Sequence, residues 1–314
     1  MGHTSVLLYE AVTGLAVAEG DVILDATLNG GGHSEALCIR YAKLGITVIG
    51  VDLDSDAIMR ARRRLAQYHC PIVYVQENFR NTDAILEKAG VSKIDKALFD
   101  LGLSSFQLDS SKRGFTFRYD EPLTMTFKKN PSENDFTARD ILNTWDEETL
   151  SNIFYGYGEE RFSRRIARAI CTEREKSPIE TTYQLVEIVV SAIPKKFRSS
   201  KIHPATKVFQ SLRIAVNDEI GSMKEGIENT FNKLAPQGRI AVISFHSLED
   251  RFVKHYFKTL ELEGRATIIT KKPIIPTDAE IAQNPRARSA KLRIIEKHDV
   301  LSKRQQHNNS KESN

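Results

Sequence analysis

Val22-Ile23-Leu24-Asp25-Ala26-Thr27-Leu28-Asn29-Gly30-Gly31-Gly32-His33-Ser34 decides the fold. An apolar run ends in an aspartate, three glycines follow, and Ser34 is placed to cap a helix that Gly45 stops. The same alternation repeats outward from it. Residues 47–51 read as a second strand closed by Asp52, and Asp54 or Ser55 caps a helix running to His69. Residues 72–75 make a third strand, 82–89 a helix with Gly90 as its stop, and 97–99 a fourth strand ending in Asp100. These strands are continuous apolar runs, which suit a parallel sheet buried on both faces. Strand–helix alternation at this spacing gives an α/β fold with a doubly wound sheet.

The pattern breaks after the fourth strand. From about 105 to 202 the sequence shows helical patterning and loops, with helices expected at 145–154, 161–172 and 182–193. Residues 206–234 read as one long helical stretch. A buried strand at 239–245, a helix at 247–259 and strands at 266–270 and 291–295 then complete the sheet. The expected organisation is a sheet domain over 1–104 and 204–298, interrupted by an all-helical insertion over 105–203 and followed by a disordered tail over 299–314.

The chain has 314 residues, ordinary globular composition and no apolar run near the ~18 residues that cross a membrane. Its first residues carry no signal-peptide pattern. Three cysteines without a CxxC pair argue against a disulfide framework and a structural zinc site, and fit the cytoplasm. The net charge of +4 is unevenly spread: +8 lies between Arg161 and Arg213 and +5 between Pro285 and Asn314. Concentrated positive charge on an otherwise acidic chain is what a polyanion binder carries; solvated helix faces give the same count.

In an open α/β sheet, ligands bind beyond the carboxyl ends of the strands. Asp25, Asp52 and Asp100 stand at such ends, and Gly30–Gly32 follow the first strand. Asp52 lies 22 residues after Gly30, where a carboxylate can accept both ribose hydroxyls of a nucleoside cofactor. A tight turn with a capping aspartate would look the same locally. The G-x-G-x-x-G pattern of a dinucleotide site is absent, which counts against a nicotinamide dehydrogenase. An acidic residue before the glycines suits a cofactor with a cationic amino-acid portion and no phosphate, such as S-adenosylmethionine.

The motifs then identify a family. They begin with His3-Thr4-Ser5-Val6-Leu7-Leu8, Asp25-Ala26-Thr27 with Gly30–Ser34, Asp52-Leu53-Asp54, Asp100-Leu101-Gly102-Leu103-Ser104-Ser105 with Gln107-Leu108-Asp109, and Arg113-Gly114-Phe115. Tyr157-Gly158-Glu159-Glu160-Arg161, His203-Pro204-Ala205-Thr206 and Ser244–Arg251 follow, and Asn284-Pro285-Arg286 with Arg288–Arg293 ends the series. The chain resembles the bacterial 16S ribosomal RNA (cytosine-N4) methyltransferases of the MraW type over nearly its whole length. The resemblance implies a Rossmann-like class I methyltransferase sheet, S-adenosyl-L-methionine as methyl donor, and a decoding-centre cytidine of 16S rRNA as acceptor, within the small ribosomal subunit. It also implies a helical insertion that holds RNA, no metal and no membrane, and leaves a homodimer open. The family's cofactor contacts map onto Gly31, Gly32, His33, Asp52, Phe79, Asp100 and Gln107. Two departures stand out. Asn29 replaces a frequent glycine, and Pro122-Leu123-Thr124-Met125-Thr126-Phe127 has threonines where the family carries an acid and a base. Asparagine tolerates left-handed backbone, so the turn survives.

Methyl transfer from a sulfonium is an in-line displacement, and the exocyclic N4 of cytosine is a poor nucleophile. The chain must align it and orient its lone pair. Asp100 is expected on the cofactor side, while Ser104, Ser105 or backbone carbonyls orient the amine; both serines could instead cap a turn. His246, after the fifth strand, could touch the base or be structural. No general acid or base is assigned. The target base must be splayed out of its helix. Phe79 is assigned to the cofactor, and Phe115, Phe117 and Tyr119 are left open. Arg161, Arg164, Arg165 and Arg168 recur on one helix face opposite Phe162, Ile166 and Ala169. Lys195, Lys196, Arg198 and Lys201 extend that RNA surface, and Arg286, Arg288, Lys291 and Arg293 form a second patch. A non-catalytic RNA-binding or ribosome-assembly factor retaining the fold is the alternative, separated by methyl incorporation.

Overall fold

In a computed structural model the chain divides into two compact units, Met1–Gly102 with Gly221–Asn314, and Leu103–Ile220. The structure describes residues 5–129, 131, 135–198 and 202–299. His3, Thr4, Lys201 and the expected tail from 300 onward lie outside these residues. In chain order the elements begin with α1 (Leu8–Gly14), β1 (Val22–Asp25), α2 (Gly32–Tyr41), β2 (Thr47–Asp52), α3 (Ser55–Leu65), β3 (Ile72–Gln76), α4 (Thr82–Ala89) and β4 (Ile94–Asp100). The helical unit contributes α5 (Ser105–Asp109), α6 (Ala138–Thr144), α7 (Glu147–Gly156), α8 (Ser163–Arg174), α9 (Thr182–Ala192) and α10 (Thr206–Asn217). Then come α11 (Glu219–Lys233), β5 (Leu234–Ser244), α12 (Ser247–Leu262), β6 (Ala266–Ile268), α13 (Asp278–Gln283) and β7 (Lys291–Lys297).

The sheet order is β3-β2-β1-β4-β5-β7-β6. The first five strands are parallel, and β7 runs antiparallel to both β5 and β6. Ile23, Val48, Leu98, Ala241 and Ile243 share a core with Ala11, Leu15, Leu37 and Cys38 of α1, its C-terminal flank and α2. The intervening Leu24, Ile49, Ala97, Phe99, Ile240 and Val242 are equally buried, so both faces of the sheet are covered. This is the doubly wound sheet that the continuous apolar runs imply. Strand order reverses between β1 and β4, and the carboxyl ends there form the crevice where such folds bind ligands.

Several elements differ from expectation. Helix α1 opens on Leu7 in left-handed backbone with no side-chain cap of its own. The Leu7 amide instead donates to Glu280 Oε1 at 2.7 Å, on α13. The expected helical run 206–234 breaks at Asp218, whose φ is 44°. The division into units falls beyond that break, so α10 packs in the helical unit and not with the sheet as expected. Its Val208, Phe209 and Leu212 complete a core with Phe154, Ile166, Ile170, Leu185 and Val189. Near Trp145 the expected helix starts only at Glu147, because the Asp146 side chain accepts from the Thr149 amide and caps it there.

Loop 113–127 of the helical unit is pinned by its own polar groups. The Arg113 guanidinium donates to the Phe127 carbonyl at 2.8 Å, and Asn217 accepts from the Phe127 amide while donating to the Met125 carbonyl. Thr126 is buried, and its hydroxyl accepts from the Lys128 amide. Gly114 has φ 78°, and a Cβ there would lie 2.5 Å from the Pro122 carbonyl oxygen. Gly114→Ala combines left-handed strain with a backbone clash and is expected to cost about 2 kcal/mol or more. Urea denaturation checks this; an unchanged midpoint contradicts it.

Candidate active site

Three aspartates end neighbouring strands. Asp25 is 1% exposed; its Oδ2 accepts from Ser34 Oγ at 2.6 Å, and Oδ1 from the Thr27 amide at 3.4 Å. Asp52 accepts from the Asn29 and Asp54 amides, each at 2.8 Å. Asn29 has φ 50°, the left-handed geometry its residue type tolerates. Gly31, at φ 76°, is the N-cap of α2, and a Cβ there would press on Ala61 and Leu65 of α3 at 3.2 Å. That close approach folds the glycine turn against α3, and the Asn29 amide is thereby aimed at Asp52. Nothing lies within 4 Å of a Cβ built on Gly30, so the turn opens on space there.

Asp100 is the least satisfied of the three. Its backbone amide donates to Thr27 Oγ1 at 2.6 Å, its Oδ1 accepts from the Gly102 amide at 3.3 Å, and its Oδ2 lies 3.6 Å from His33 Nδ1. The other nitrogen of His33 is 3.3 Å from the Val6 carbonyl. Burial pushes the Asp25 and Asp52 carboxyls up to about 6, against partial relief from their hydrogen bonds. Burial raises Asp100 further, to about 7, and the charges of Asp25 and Glu249 add to it. Such a cluster is short of positive charge at neutral pH.

The other expected site residues sort as follows. Gly32 and His33 open α2. Phe79 follows β3 and meets Phe99 edge-on at 5.6 Å. Gln107 belongs to the helical unit, where it and Ser104 form a capping box: the Ser104 amide donates to Gln107 Oε1, and the Gln107 amide to Ser104 Oγ. The sequence signal was the S-x-x-Q spacing. Ser105 begins that helix. His246 is the N-cap of α12; its Nδ1 accepts from the Glu249 amide, and its Nε2 lies 3.1 Å from Glu249 Oε1. Phe115 stacks on Phe127, and Phe117 packs on Phe209, so both are core-lining; Tyr119 is 57% exposed. Ser34, expected as the cap of α2, lies inside its first turn and seats Asp25 instead, and the seating of Asp100 by Thr27 was not anticipated.

Arg161, Arg164, Arg165 and Arg168 are all exposed, as are Lys195 and Lys196. Arg168 is paired with Glu147 at 3.3 Å. The buried stripe of α8 is Ile166, Ala167 and Ile170, with Phe162 and Ala169 half-buried at its margin. In the second patch Arg286 and Arg288 are exposed, but Lys291 and Arg293 both hold Asp250. That patch is therefore smaller than its sequence suggests.

The sheet order, its antiparallel last strands and an acidic crevice beside a glycine turn are those of a Rossmann-like class I methyltransferase. Residues 1–298 match the MraW methylase family, and the chain belongs to it. It is 48% identical over 295 residues to the ribosomal RNA small subunit methyltransferase H of Trichormus variabilis, covering 94% of this chain and 92% of that one. Its similarity to the proteins of the same name from Carboxydothermus hydrogenoformans and Clostridium botulinum is 45% and 44% identity over 310 residues. Those alignments cover 94% of this chain and 97% and 98% of theirs. No helix among the described residues is long and apolar enough to cross a membrane.

The raised carboxyls fix the sign of a pH effect. Folded, each holds its proton more tightly than unfolded, so its contribution to stability is complete below the ordinary value of 3.8 and lost as pH rises through about 6 to 7. The thermal midpoint of the ligand-free protein is expected to fall between about pH 5 and about pH 8, and that of Asp100→Asn to fall less. Parallel curves for the two proteins would contradict the burial of an ionisable Asp100.

Proposed function

We propose that this chain transfers a methyl group from S-adenosylmethionine to the exocyclic N4 of a decoding-centre cytidine in 16S rRNA, in the cytoplasm. The observation that carries the reading is the cluster of desolvated carboxylates at the tips of β1, β2 and β4, beside an open glycine turn, in a chain of the MraW methylase family. The methyl donor brings its own electrophilic carbon and leaving group. Asp52 keeps lone pairs for a ribose diol after accepting two amides. Asp25 and Asp100 supply negative charge toward a cationic amino-acid portion. Gly31, Gly32 and His33 shape the turn around it, and Phe79 offers an apolar wall. Gln107 caps α5 through its oxygen, and its amide nitrogen serves as donor. The N4 proton leaves after transfer, so no strong base is assigned.

Support for the acceptor comes from the names of the relatives, and for the cytidine from the motifs of the methylase family. The helical unit serves as an RNA platform, with Arg161, Arg164, Arg165, Lys195 and Lys196 on phosphates; Arg286 and Arg288 are the exposed basic residues proposed for RNA on the sheet unit. Small subunits from cells lacking this protein, incubated with it and labelled S-adenosylmethionine, are expected to yield N4-methylcytidine at a single position after nuclease digestion. Label on another atom or another RNA sinks the assignment. Replacing Arg164 and Arg165 by glutamine is expected to weaken RNA binding and lower the slope of log affinity against log salt by about 2. An unchanged slope removes the platform role from α8.

A further inference from the structure

The tail of β5 reaches the same end of the sheet as the acidic crevice. Asp100 at the tip of β4 pairs in register with Ile243, and the Leu101 amide donates to the Ile243 carbonyl at 3.0 Å. A Cβ on Gly102 would lie 2.6 Å from the Phe245 ring, so glycine lets the two tails close on each other beyond the sheet. His246 follows as the N-cap of α12. Glu249, three residues on, is 3% exposed and near enough to Asp100 for its charge to add to the raising of that carboxyl.

Capping uses only half of this pair's polar atoms. His246 Nδ1 accepts from the Glu249 amide at 3.4 Å, and Glu249 Oε2 accepts from the Phe245 and His246 amides at 2.7 and 3.2 Å. Because Nδ1 accepts, the proton of the neutral ring is on Nε2. That nitrogen is buried, and among the described residues it has no hydrogen-bond partner. It stands 3.1 Å from Glu249 Oε1, at an angle that makes no hydrogen bond. A buried donor left unmet costs stability, and Ser, Asp or Asn would cap the helix without it. Capping therefore leaves a donor and a carboxylate oxygen side by side. Cytosine carries hydrogens on N4 next to a bare N3, which a carboxylate and an N–H donor match. Uracil reverses both, setting oxygen against oxygen and hydrogen against hydrogen.

We propose that His246 and Glu249 read the target base: Nε2–H donates to N3 of the splayed-out cytosine, and Glu249 Oε1 accepts one N4 hydrogen. The inference rests on the cytidine-N4 reading above. Holding that hydrogen turns the N4 lone pair toward the methyl group. As the bond from N4 to the methyl carbon forms and the sulfur–methyl bond breaks, sulfur keeps the electron pair of the broken bond. The surplus N4 proton passes to Oε1. Adenine presents the same order of donor and acceptor, so the pair excludes keto bases and leaves the choice between amino bases to the rest of the pocket.

His246→Asn and Glu249→Gln separate this role from capping. Asparagine is a favoured N-cap and glutamine a regular partner three residues on, so both variants keep the capping box. Asparagine is too short to place a donor where Nε2 stands. Glutamine, with its oxygen on the two amides, turns an NH2 group toward N4. The urea midpoint is expected to stay unchanged in both, and calorimetric affinity for S-adenosylhomocysteine to stay within about twofold. Methyl transfer to N4, measured on small subunits from cells lacking this protein, is expected to fall at least about tenfold in kcat/KM for His246→Asn. For Glu249→Gln it is expected to fall at least about a hundredfold in kcat. Transfer within twofold of the unsubstituted protein by either variant overturns the proposal. So does a fall in urea midpoint and cofactor affinity that parallels the fall in transfer, which leaves the two residues as a cap. The unsubstituted protein is run beside them. Label from it on an atom other than N4 removes the cytidine reading and this pair with it, whereas N4 label from it and from both variants alike removes the pair alone.

Discussion

Three carboxylates are desolvated where three neighbouring parallel strands end, and the sheet unit is arranged around accommodating them. Burying an ionised carboxyl without compensation is costly. Each aspartate meets that cost differently. Asp25 takes a hydroxyl hydrogen bond from Ser34 in the first turn of α2, and Asp52 takes two amides, one from the left-handed Asn29. Asp100 has a single longer amide bond and a histidine at 3.6 Å, and it is the most strongly shifted. The residual demand for positive charge is thus concentrated at the switch point of the sheet, where the strand order turns from β1 to β4. That demand favours a cationic ligand over a dinucleotide pyrophosphate, which would worsen it.

The helical unit is built on a different logic. Its core is apolar and its loops are closed by backbone-to-side-chain bonds, notably those of Arg113, Glu121 and Asn217. Thr124 and Thr126 sit in that pinned loop. Thr126 accepts from the Lys128 amide through its hydroxyl, beside the bonds that Arg113 and Glu121 make to the same loop. The arginines are left to the outside, where stacking on Phe162 and Phe197 orients one of them.

Much of the sheet was legible because burial on both faces writes itself as unbroken apolar runs. The strand-tip aspartates and the glycine turn were legible for the same reason: each directly follows such a run. What could not be read depends on partners far along the chain. The start of α1 is bonded to Glu280, and Lys291 and Arg293 are both held by the single carboxylate of Asp250, 41 and 43 residues away. The membership of α10 in the helical unit turns on a single left-handed residue, Asp218, inside an otherwise continuous helical pattern. Ser104 and Gln107 were readable as a capping box from their spacing; the sequence reading kept capping open for Ser104 beside a role at the amine, and placed Gln107 at the cofactor only through the family resemblance.

The direct test of the acidic crevice is calorimetric titration of the protein with S-adenosylmethionine at about pH 6, in buffers of different ionisation enthalpy. A cation entering a site whose carboxyls are still partly protonated must drive protons off them. The account predicts net proton release on binding, reduced in Asp100→Asn. Binding with no proton exchange, or no binding at all, would contradict it.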